Sequence, residues 1–332
     1  MQSTKEILLE LLENGRGESF SGQQLAERLG VSRAAVWKAM DILKKEGHRI
    51  EAVNNKGYRL LPESDVLTFA SMVPWLPAGY DPALLQVFQE TGSTNTAVRR
   101  LAAEGAPEGT CVVASRQTGG KGRRGRSFFS PEGGVYLSLT LRPQLTAEQS
   151  AQVTTAAAVQ VCRTIEELCG FHPAIKWVND LMMDDKKICG ILTEASVNLE
   201  TGAPDYLVLG VGVNLKAPEG GFPAEIAEIA GALYQGELPS GLTRGRFAAA
   251  LLKRLLPVSQ LCGQPEIIQE YRRRCPLPGH WVTVMAPEPW QAKVAGISDS
   301  CGLIVEKPDG TRTELRSGEV SVRPDQSIWR SC

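Results

Sequence analysis

The segment from Gly119 to Arg126 combines backbone freedom with positive charge. It reads Gly-Gly-Lys-Gly-Arg-Arg-Gly-Arg, so four glycines are interspersed with four cations. Glycine lets a backbone approach a ligand closely, and arginine offers planar donors that suit phosphate and carboxylate oxygens. Because the segment has little apolar surface to bury, we expect a loop that is mobile by itself and becomes ordered around an anionic ligand.

Other stretches place polar side chains where an apolar strand or a turn would not need them. Thr91–Asn95 follows the predicted strand Val87–Gln89, and Arg116–Thr118 leads into the glycine–arginine loop. The run Ile175–Asp180 ends an apolar strand in a cation, an aromatic ring, an amide and a carboxylate. The run Lys186–Glu194 places two lysines in front of the predicted strand Ile188–Ala195. Each signal is weak alone, since a lysine before a strand is usually solvated. Together they indicate one charged site.

The composition excludes several classes of protein. The formal net charge of −1 excludes a globally basic nucleic-acid binder, so a polyanion contact must come from a local cluster. No secretory signal and no apolar run of ~20 residues is evident, which predicts a cytoplasmic protein without a membrane partner. Eight cysteines without a Cys-x-x-Cys pair, and three histidines, argue against a metal cluster or disulfide framework. The cysteines predicted to lie in the core are Cys111, Cys162, Cys189 and Cys275.

The N-terminal part is predicted to form a winged helix-turn-helix domain. Ser21 and Ser32 suit the cap positions of two short helices, and Gly30 suits the left-handed turn that ends the first. Two predicted strands, Arg49–Val53 and Tyr58–Leu60, would form a basic wing. The second helix of such a motif can enter a major groove. The alternative is a small helical interaction domain with a solvated charged face. The residues predicted to contact DNA are Ser32, Arg33, Ala34, Trp37, Lys38 and Lys56.

Beyond a short linker, strand-like and helix-like segments alternate, which predicts a mixed α+β domain. Its strands include Thr110–Ser115, Val135–Leu141 and Tyr206–Leu215, and its helices include Gln149–Leu168 and Arg246–Leu256. The last part holds short strands broken by Gly, Pro and Asp-Gly, which predicts a small β-barrel or sandwich. The three predicted domains cover residues 1–62, 66–271 and 276–326.

In this order and spacing, followed by Gly210-Val-Gly-Val-Asn-Leu215, the polar stretches resemble the catalytic core of biotin–protein ligases. With the helix-turn-helix in front and the β domain behind, the chain resembles the bifunctional class, which also represses biotin biosynthesis genes. The resemblance covers nearly the whole chain, and the loop and the Lys-Trp-x-Asn-Asp run are its most specific parts. It implies an α+β protein with a winged helix-turn-helix domain, a mixed α/β ligase domain and an SH3-like β-barrel.

The resemblance also implies substrates and partners. ATP and Mg²⁺ would activate biotin as biotinyl-5′-AMP, and a lysine of a biotin carboxyl carrier protein would then receive the biotin. If the adenylate orders the glycine–arginine loop, a rigid surface appears that we expect to favour a homodimer. Such a ligand-promoted homodimer would place two helix-turn-helix units on operator DNA.

Carried over residue by residue, the resemblance implies a role for each motif. Biotin would be bound by Ser93, Thr94, Asn95, Gln117, Lys121, Gly122, Arg123, Trp177 and Lys187. The nucleotide would be bound by Lys121, Arg123, Arg126, Asn179, Lys187 and Asn214, and Mg²⁺ by Asp180. The catalytic residues would be Arg123, Lys187 and Asp180. They would neutralise two anions that must meet and assist deprotonation of the carrier lysine.

The sequence departs from the usual family pattern at three positions. Lys121 stands where the family generally has arginine, which keeps the charge but loses the bidentate fork. Val178 replaces a common proline, and Phe128 stands where a tryptophan often lies, without its indole N–H donor. Since none of these changes removes a charge, we expect them to alter geometry and affinity rather than abolish activity.

Three other readings of the sequence stay open. A lipoate ligase would perform the same adenylation on a related scaffold, although the loop and the DNA-binding segment favour biotin. A transcription factor could use the central domain only to sense a small anion, although the intact charged set argues against lost catalysis. The basic loop could also contact nucleic acid, but it lacks interleaved aromatic residues before Phe128.

Overall fold

The computed structural model confirms an α+β fold with three parts in chain order. The residues that it describes are 3–53, 56–197, 204–285, 288–316, 321–324 and 328–329. Across these residues, the structure contains no helix that is long and apolar enough to cross a membrane.

The N-terminal part confirms the predicted helix-turn-helix and the two strands that follow. Its elements are α1 (Thr4–Asn14), β1 (Ser19–Phe20), α2 (Gly22–Leu29), α3 (Arg33–Lys45), β2 (Ile50–Val53) and β3 (Gly57–Leu60). The side chains of Ser21 and Ser32 accept N–H groups in the first turns of α2 and α3, and Gly30 has a left-handed φ of 64°. β2 and β3 pair antiparallel. The Asn54–Asn55 turn between them lies outside the described residues.

The central part is built on a seven-stranded sheet in the order β4-β5-β6-β10-β9-β8-β7. Its helices are α4 (Phe69–Met72), α5 (Thr94–Ala103), α6 (Ala147–Cys169), α7 (Arg244–Leu255) and α8 (Pro265–Arg274). Its strands are β4 (Leu85–Thr91), β5 (Cys111–Gln117), β6 (Val135–Leu141), β7 (Ala174–Lys176), β8 (Asp180–Met183), β9 (Lys186–Val197) and β10 (Pro204–Val213). β4 and β5 pair parallel, and the other neighbours pair antiparallel.

The two faces of this sheet have different coverings. Side chains alternate between faces along a strand. Val112 and Val208 pack with Val98 of α5 on one face, whereas Val113 and Leu209 belong to the main core on the other. The main core also contains buried residues of α6 and α7. The face under α5 is thus only partly covered, which leaves room for a ligand beside the first turn of that helix.

The C-terminal part is a small antiparallel sheet in the order β14-β13-β12-β11-β15. Its strands are β11 (Trp281–Met285), β12 (Trp290–Ile297), β13 (Leu303–Glu306), β14 (Arg312–Leu315) and β15 (Ser321–Pro324). Val282, Val284 and Leu303 belong to the same buried cluster as Ile165 and Leu181 of the central part. The sequence predicts this β segment but not that it shares one core with the central sheet. The four cysteines predicted to lie in the core are all buried.

The segment predicted as a linker is held on both sides. Arg16 donates to the carbonyls of Leu61 and Ser64, at 3.2 and 2.8 Å. Arg244, buried at the start of α7, binds the Asp65 carboxylate through its backbone N–H and its Nε, at 2.7 and 2.9 Å. Because hydrogen bonds to charged groups are among the stronger ones, the two domains meet at a fixed joint rather than at a free tether.

Candidate active site

One cavity of about 180 Å³ brings the predicted site residues together beside α5. All the predicted ligand-binding and catalytic residues except Asn214 line it. They are Ser93, Thr94, Asn95, Gln117, Lys121, Gly122, Arg123, Arg126, Trp177, Asn179, Asp180 and Lys187. They come from segments up to about 90 residues apart in sequence, so the fold rather than local spacing assembles them.

A row of paired residues across the sheet forms the floor of the cavity. Asp180 of β8 pairs with Gly190 of β9, which pairs with Gly212 of β10, which pairs with Tyr136 of β6. The two glycines leave a slot that the Phe128 ring enters. A Cβ on Gly212 would lie 2.6 Å from that ring, and one on Gly190 would lie 3.0 Å from it. These strand glycines thus serve close packing, a usual reason for glycine in a strand.

The first turn of α5 lies flat on the sheet because of a third strand glycine. A Cβ on Gly210 would lie 1.9 Å from Asn95 Oδ1. That oxygen accepts from Ser138 Oγ at 2.6 Å, and Asn95 Nδ2 donates to Glu194 Oε2 at 2.8 Å. Both ends of the Asn95 amide are therefore engaged within the protein. Its predicted contact with biotin stays a prediction.

Neutral hydrogen-bonding groups line the same end of the cavity. The backbone N–H and the hydroxyl of Thr94 both donate to Gln117 Oε1, at 2.8 and 3.1 Å. Gln117 Nε2 in turn donates to Ser130 Oγ at 2.9 Å. Ser93 caps α5 through a 3.5 Å bond from the N–H of Thr96. These groups offer donors and acceptors without net charge.

The glycine–arginine loop is closed by its own backbone. Gly122 N–H donates to the Arg126 carbonyl at 2.7 Å, and Phe128 N–H donates to the Gly120 carbonyl at 2.9 Å. A side chain at Gly120 would meet the Phe128 carbonyl at 2.3 Å, and Arg124 takes a left-handed φ of 58°. Glycine is therefore required at the base of the loop. Its mobility without ligand stays a prediction.

The turn after β7 carries the remaining charged groups. Arg123 Nη1 donates to Asn179 Oδ1 at 3.1 Å, which ties the loop to this turn. Lys187 Nζ lies 2.7 Å from Asp180 Oδ1, an ion pair whose angle is not that of a hydrogen bond. The same ammonium lies 5.4 Å from the centre of the Phe128 ring. A cation over an aromatic face is favourable.

The cavity carries a strong excess of positive charge. Its lining has one carboxylate, that of Asp180, against six cationic side chains. These are Lys121, Arg123, Arg124, Arg126, Lys176 and Lys187. Burial lowers the pKa of the Arg123 guanidinium, and the Asp180 carboxylate opposes this effect. Arginine remains charged in proteins because its ordinary pKa is so high. The site is thus suited to a ligand that carries several negative charges.

Sequence reasoning missed part of the lining, and one residue that it proposed lies outside the cavity. Tyr136 lines the cavity, but its place in an apolar strand reads as core. The Gly-Val-Gly run in β10 is the signal that could have been read as a close approach. Asn214 does not line the cavity. It is buried behind β9, where its backbone N–H donates to the Ile188 carbonyl and its Nδ2 to the Gly231 carbonyl.

The predicted DNA-contacting face of α3 points to solvent. Trp37 is 63% exposed, and Ile42 of the same helix is also exposed. Ser32, Arg33, Ala34 and Lys38 are exposed, as is Lys56 beyond β2. The opposite face of α3 is buried through Val36, Ala39, Met40 and Leu43. The helix therefore presents a mixed basic and aromatic surface.

Two family models match this chain. The biotin/lipoate A/B protein ligase family matches residues 87–214, and a helix-turn-helix (HTH) domain matches residues 4–59. The first match contains the strands and loops that line the cavity, and the second contains all of α1, α2 and α3. The matched regions thus coincide with the two parts whose geometry is described above.

Curated relatives and solved structures agree with these matches. The bifunctional ligase/repressor BirA of Bacillus subtilis is 40% identical over 237 residues, which are 71% of this chain and 72% of that protein. BirA of Escherichia coli is 30% identical over 320 residues, 95% of this chain and 96% of that protein. The biotin protein ligase of Aquifex aeolicus in complex with biotin and ATP is 27% identical, with a TM-score of 0.60 over 73% of this chain and 99% of that chain. The chain therefore belongs to the biotin/lipoate A/B protein ligase family, in its bifunctional ligase/repressor branch with an N-terminal helix-turn-helix domain.

Proposed function

We propose that this protein activates biotin with ATP and transfers it to a lysine of a biotin carboxyl carrier protein. The observation that carries the proposal is that one cavity has a neutral polar end, an apolar wall formed by the Phe128 ring over the strand glycines, and a cationic end. Biotin has a neutral ureido ring, an aliphatic chain and a carboxylate in the same order. The relatives named above are ligases of this kind.

The neutral end suits the ureido ring. Thr94 and Gln117 present paired hydroxyl and amide groups there, and Ser93 lies beside them. A buried site that hydrogen-bonds a ligand rejects analogues that leave its polar groups unpaired. The dithiolane ring of lipoate has no ureido group, so this end of the cavity favours biotin over lipoate.

The cationic end suits the first chemical step. An oxygen of the biotin carboxylate attacks the α-phosphorus of ATP, a new C–O–P linkage forms, and the bond to the β-phosphate breaks as pyrophosphate leaves. Two anions must approach each other, so the main task is charge neutralisation in a fixed geometry. Arg123 and Lys187 line this end and would meet the carboxylate and the phosphate, and Lys121 would add a further positive charge.

The second step needs no protein nucleophile. The amine of the carrier lysine attacks the carbonyl of the mixed anhydride, an amide bond forms, and AMP leaves with the electron pair of the broken C–O bond. The amine must lose a proton, and Asp180 is the one carboxylate in the lining that can accept it. An Asp180→Asn variant that transferred biotin from supplied biotinyl-AMP at the full rate would exclude this role.

Few side chains at this end of the cavity could bind Mg²⁺. The described residues contain no cluster of three or more His, Cys, Asp or Glu side chains that could hold a metal ion. Mg²⁺ typically binds through one or two carboxylates together with substrate phosphates and water. Asp180 would therefore hold the ion, with Asn179 beside it, and most of its other ligands would come from ATP. The bound ion would supply charge neutralisation at the phosphates.

The decisive experiment follows pyrophosphate release and carrier labelling separately. We expect pyrophosphate release with biotin and ATP, and transfer of labelled biotin to a carrier domain when Mg²⁺ is present. Lipoate in place of biotin should give neither product. Biotin binding without pyrophosphate release would instead favour a sensor that lacks ligase activity.

We further propose that the loaded protein binds operator DNA as a homodimer. The exposed basic and aromatic face of α3 supports the DNA contact, and the exposed glycine–arginine loop at the cavity mouth supports a ligand-dependent surface. Sedimentation with and without biotinyl-AMP tests the dimer. An unchanged monomer–dimer constant would remove the proposed coupling.

A further inference from the structure

The turn that carries Asn179 and Asp180 is held from behind by two buried hydrogen bonds. The hydroxyl of Tyr271, on α8, donates to the Val178 carbonyl at 3.1 Å. The indole Nε1–H of Trp177 donates to the Cys301 carbonyl at 2.9 Å, in the turn between β12 and β13. Two consecutive residues of the turn are thereby fixed to two separate elements.

The hydroxyl of Tyr271 lies inside the protein. Its side chain is fully buried and belongs to the main hydrophobic cluster. A buried hydroxyl without a partner costs free energy, so the bond to Val178 is strongly preferred over an empty alternative. The carbonyl of Val178 is held in one position in turn.

The two residues that follow Val178 depend on that position. Asn179 Oδ1 accepts from Arg123, and the Asp180 carboxylate pairs with Lys187. Asn179 is also fixed to β9, because its Nδ2 donates to the Ile191 carbonyl at 2.8 Å and its own carbonyl accepts from the Ile191 N–H at 2.9 Å. Because Asn179 and Asp180 follow Val178 directly in the chain, a shift of the Val178 carbonyl would strain their contacts with Arg123 and Lys187. A misplacement of about 1 Å can cost a reaction much of its rate.

We propose that Tyr271 is a positioning residue for the adenylation step. It does not line the cavity. Its hydroxyl fixes the position of the Val178 carbonyl, and the turn in which Val178 lies positions Asn179 and Asp180 at the cationic end. This inference rests on the proposed ligase function. It assigns to α8, far from the motifs of the site, a share in nucleotide use but not in biotin recognition, since Ser93, Thr94 and Gln117 are held by other elements.

The test is Tyr271→Phe, which removes only the hydroxyl, with Tyr80→Phe as the matched control. Tyr80 also donates from its hydroxyl to a backbone carbonyl, that of Gly109, at 3.0 Å. Tyr80 does not line the cavity. Both variants should be measured for thermal midpoint, for biotin affinity without ATP, and for the rate of pyrophosphate release over a range of ATP concentrations.

We expect Tyr271→Phe to lower kcat/KM for ATP about ten-fold, as a modest misplacement would, and to leave biotin affinity within two-fold. Tyr80→Phe should leave both quantities within two-fold.

Equal values of kcat/KM for Tyr271→Phe and the unaltered protein would overturn the proposal. So would a parallel loss of biotin affinity, because it would reveal a general structural role. Biotin affinity also reports whether Tyr271→Phe folds. If the unaltered protein released no pyrophosphate, the proposed function itself would fail instead.

Discussion

The glycine–arginine loop and the Trp177–Asp180 turn meet in one site but are built in opposite ways. The loop closes on itself through backbone bonds between residues a few positions apart, and Lys121, Arg124 and Arg126 are exposed. In the turn, Trp177 and Val178 are 4% and 1% exposed, and bonds from residues 124 and 93 positions away hold them.

This difference separates residues that contribute to activity alone from residues that also contribute to stability. The exposed side chains of Lys121 and Arg126 can reorganise around a ligand at small cost in folding free energy, because they lie outside the core. The turn is held in place without a ligand, because its buried contacts are part of the core. We therefore expect loop variants to lose activity without stability and turn variants to lose both.

The largest effect is expected from Arg123→Ala in the loop. Loss of a donor aimed at developing negative charge typically lowers the rate by about 100-fold or more, so kcat for pyrophosphate release should fall by that order. The free energy of unfolding should change by less than about 1 kcal/mol. Arg116→Ala is the control, since this arginine is exposed, pairs with Glu90 and does not line the cavity. A thermal midpoint that fell sharply for Arg123→Ala would contradict the comparison.

The second effect concerns Phe128, where the loop returns to the sheet. Gly212→Ala would place a methyl group 2.6 Å from the Phe128 ring. Overpacking of this kind costs about 1–3 kcal/mol, so we expect biotin to bind roughly ten-fold more weakly. Gly236→Ala is the control, because a Cβ there would meet no atom within 4 Å. Isothermal titration with biotin measures both, and equal affinities would show that the ring moves freely.

The third effect belongs to the turn. Trp177→Phe removes the Nε1–H that reaches the Cys301 carbonyl, and a lost buried hydrogen bond costs about 1–3 kcal/mol. Denaturant unfolding should therefore report a loss of stability that Arg123→Ala does not give. Trp281→Phe, at a half-exposed position on β11, should change stability by less than about 0.5 kcal/mol. Unchanged stability in Trp177→Phe would mean that the turn is as independent as the loop.

The smallest effect is expected from Lys121→Arg. Lys121 is exposed in the loop, and the substitution keeps the charge while adding a planar fork of donors. We expect kcat/KM for biotin and ATP to rise by no more than about three-fold, with no change in thermal midpoint, because an exposed cation contributes weakly. A rise of an order of magnitude would show that the loop is more rigidly set around its ligand than its backbone bonds suggest.

Local signals predicted much of the fold correctly. Ser21, Gly30 and Ser32 act through neighbours within four residues, so the sequence is sufficient to place the helix boundaries that they set. Strands such as Val135–Leu141 were predicted at their observed bounds, because a continuous apolar run is itself the signal. By contrast, α8 has charged residues over much of its length and was not predicted, and the shared core of the central and C-terminal parts involves contacts that no local pattern records.

The sequence by itself determined which chemical groups this protein carries, because the covalent chain sets the types and order of its charged and polar residues. The cationic loop, the Lys-Trp-x-Asn-Asp run and the Lys186–Lys187 pair already implied an anionic ligand and its activation. The tertiary structure decided which of these residues meet. Strand register places Gly190 and Gly212 under Phe128, and packing brings Tyr271 and Cys301 behind the turn. Both results depend on contacts between distant parts of the chain. These contacts form only when the sheet packs against the rest of its core.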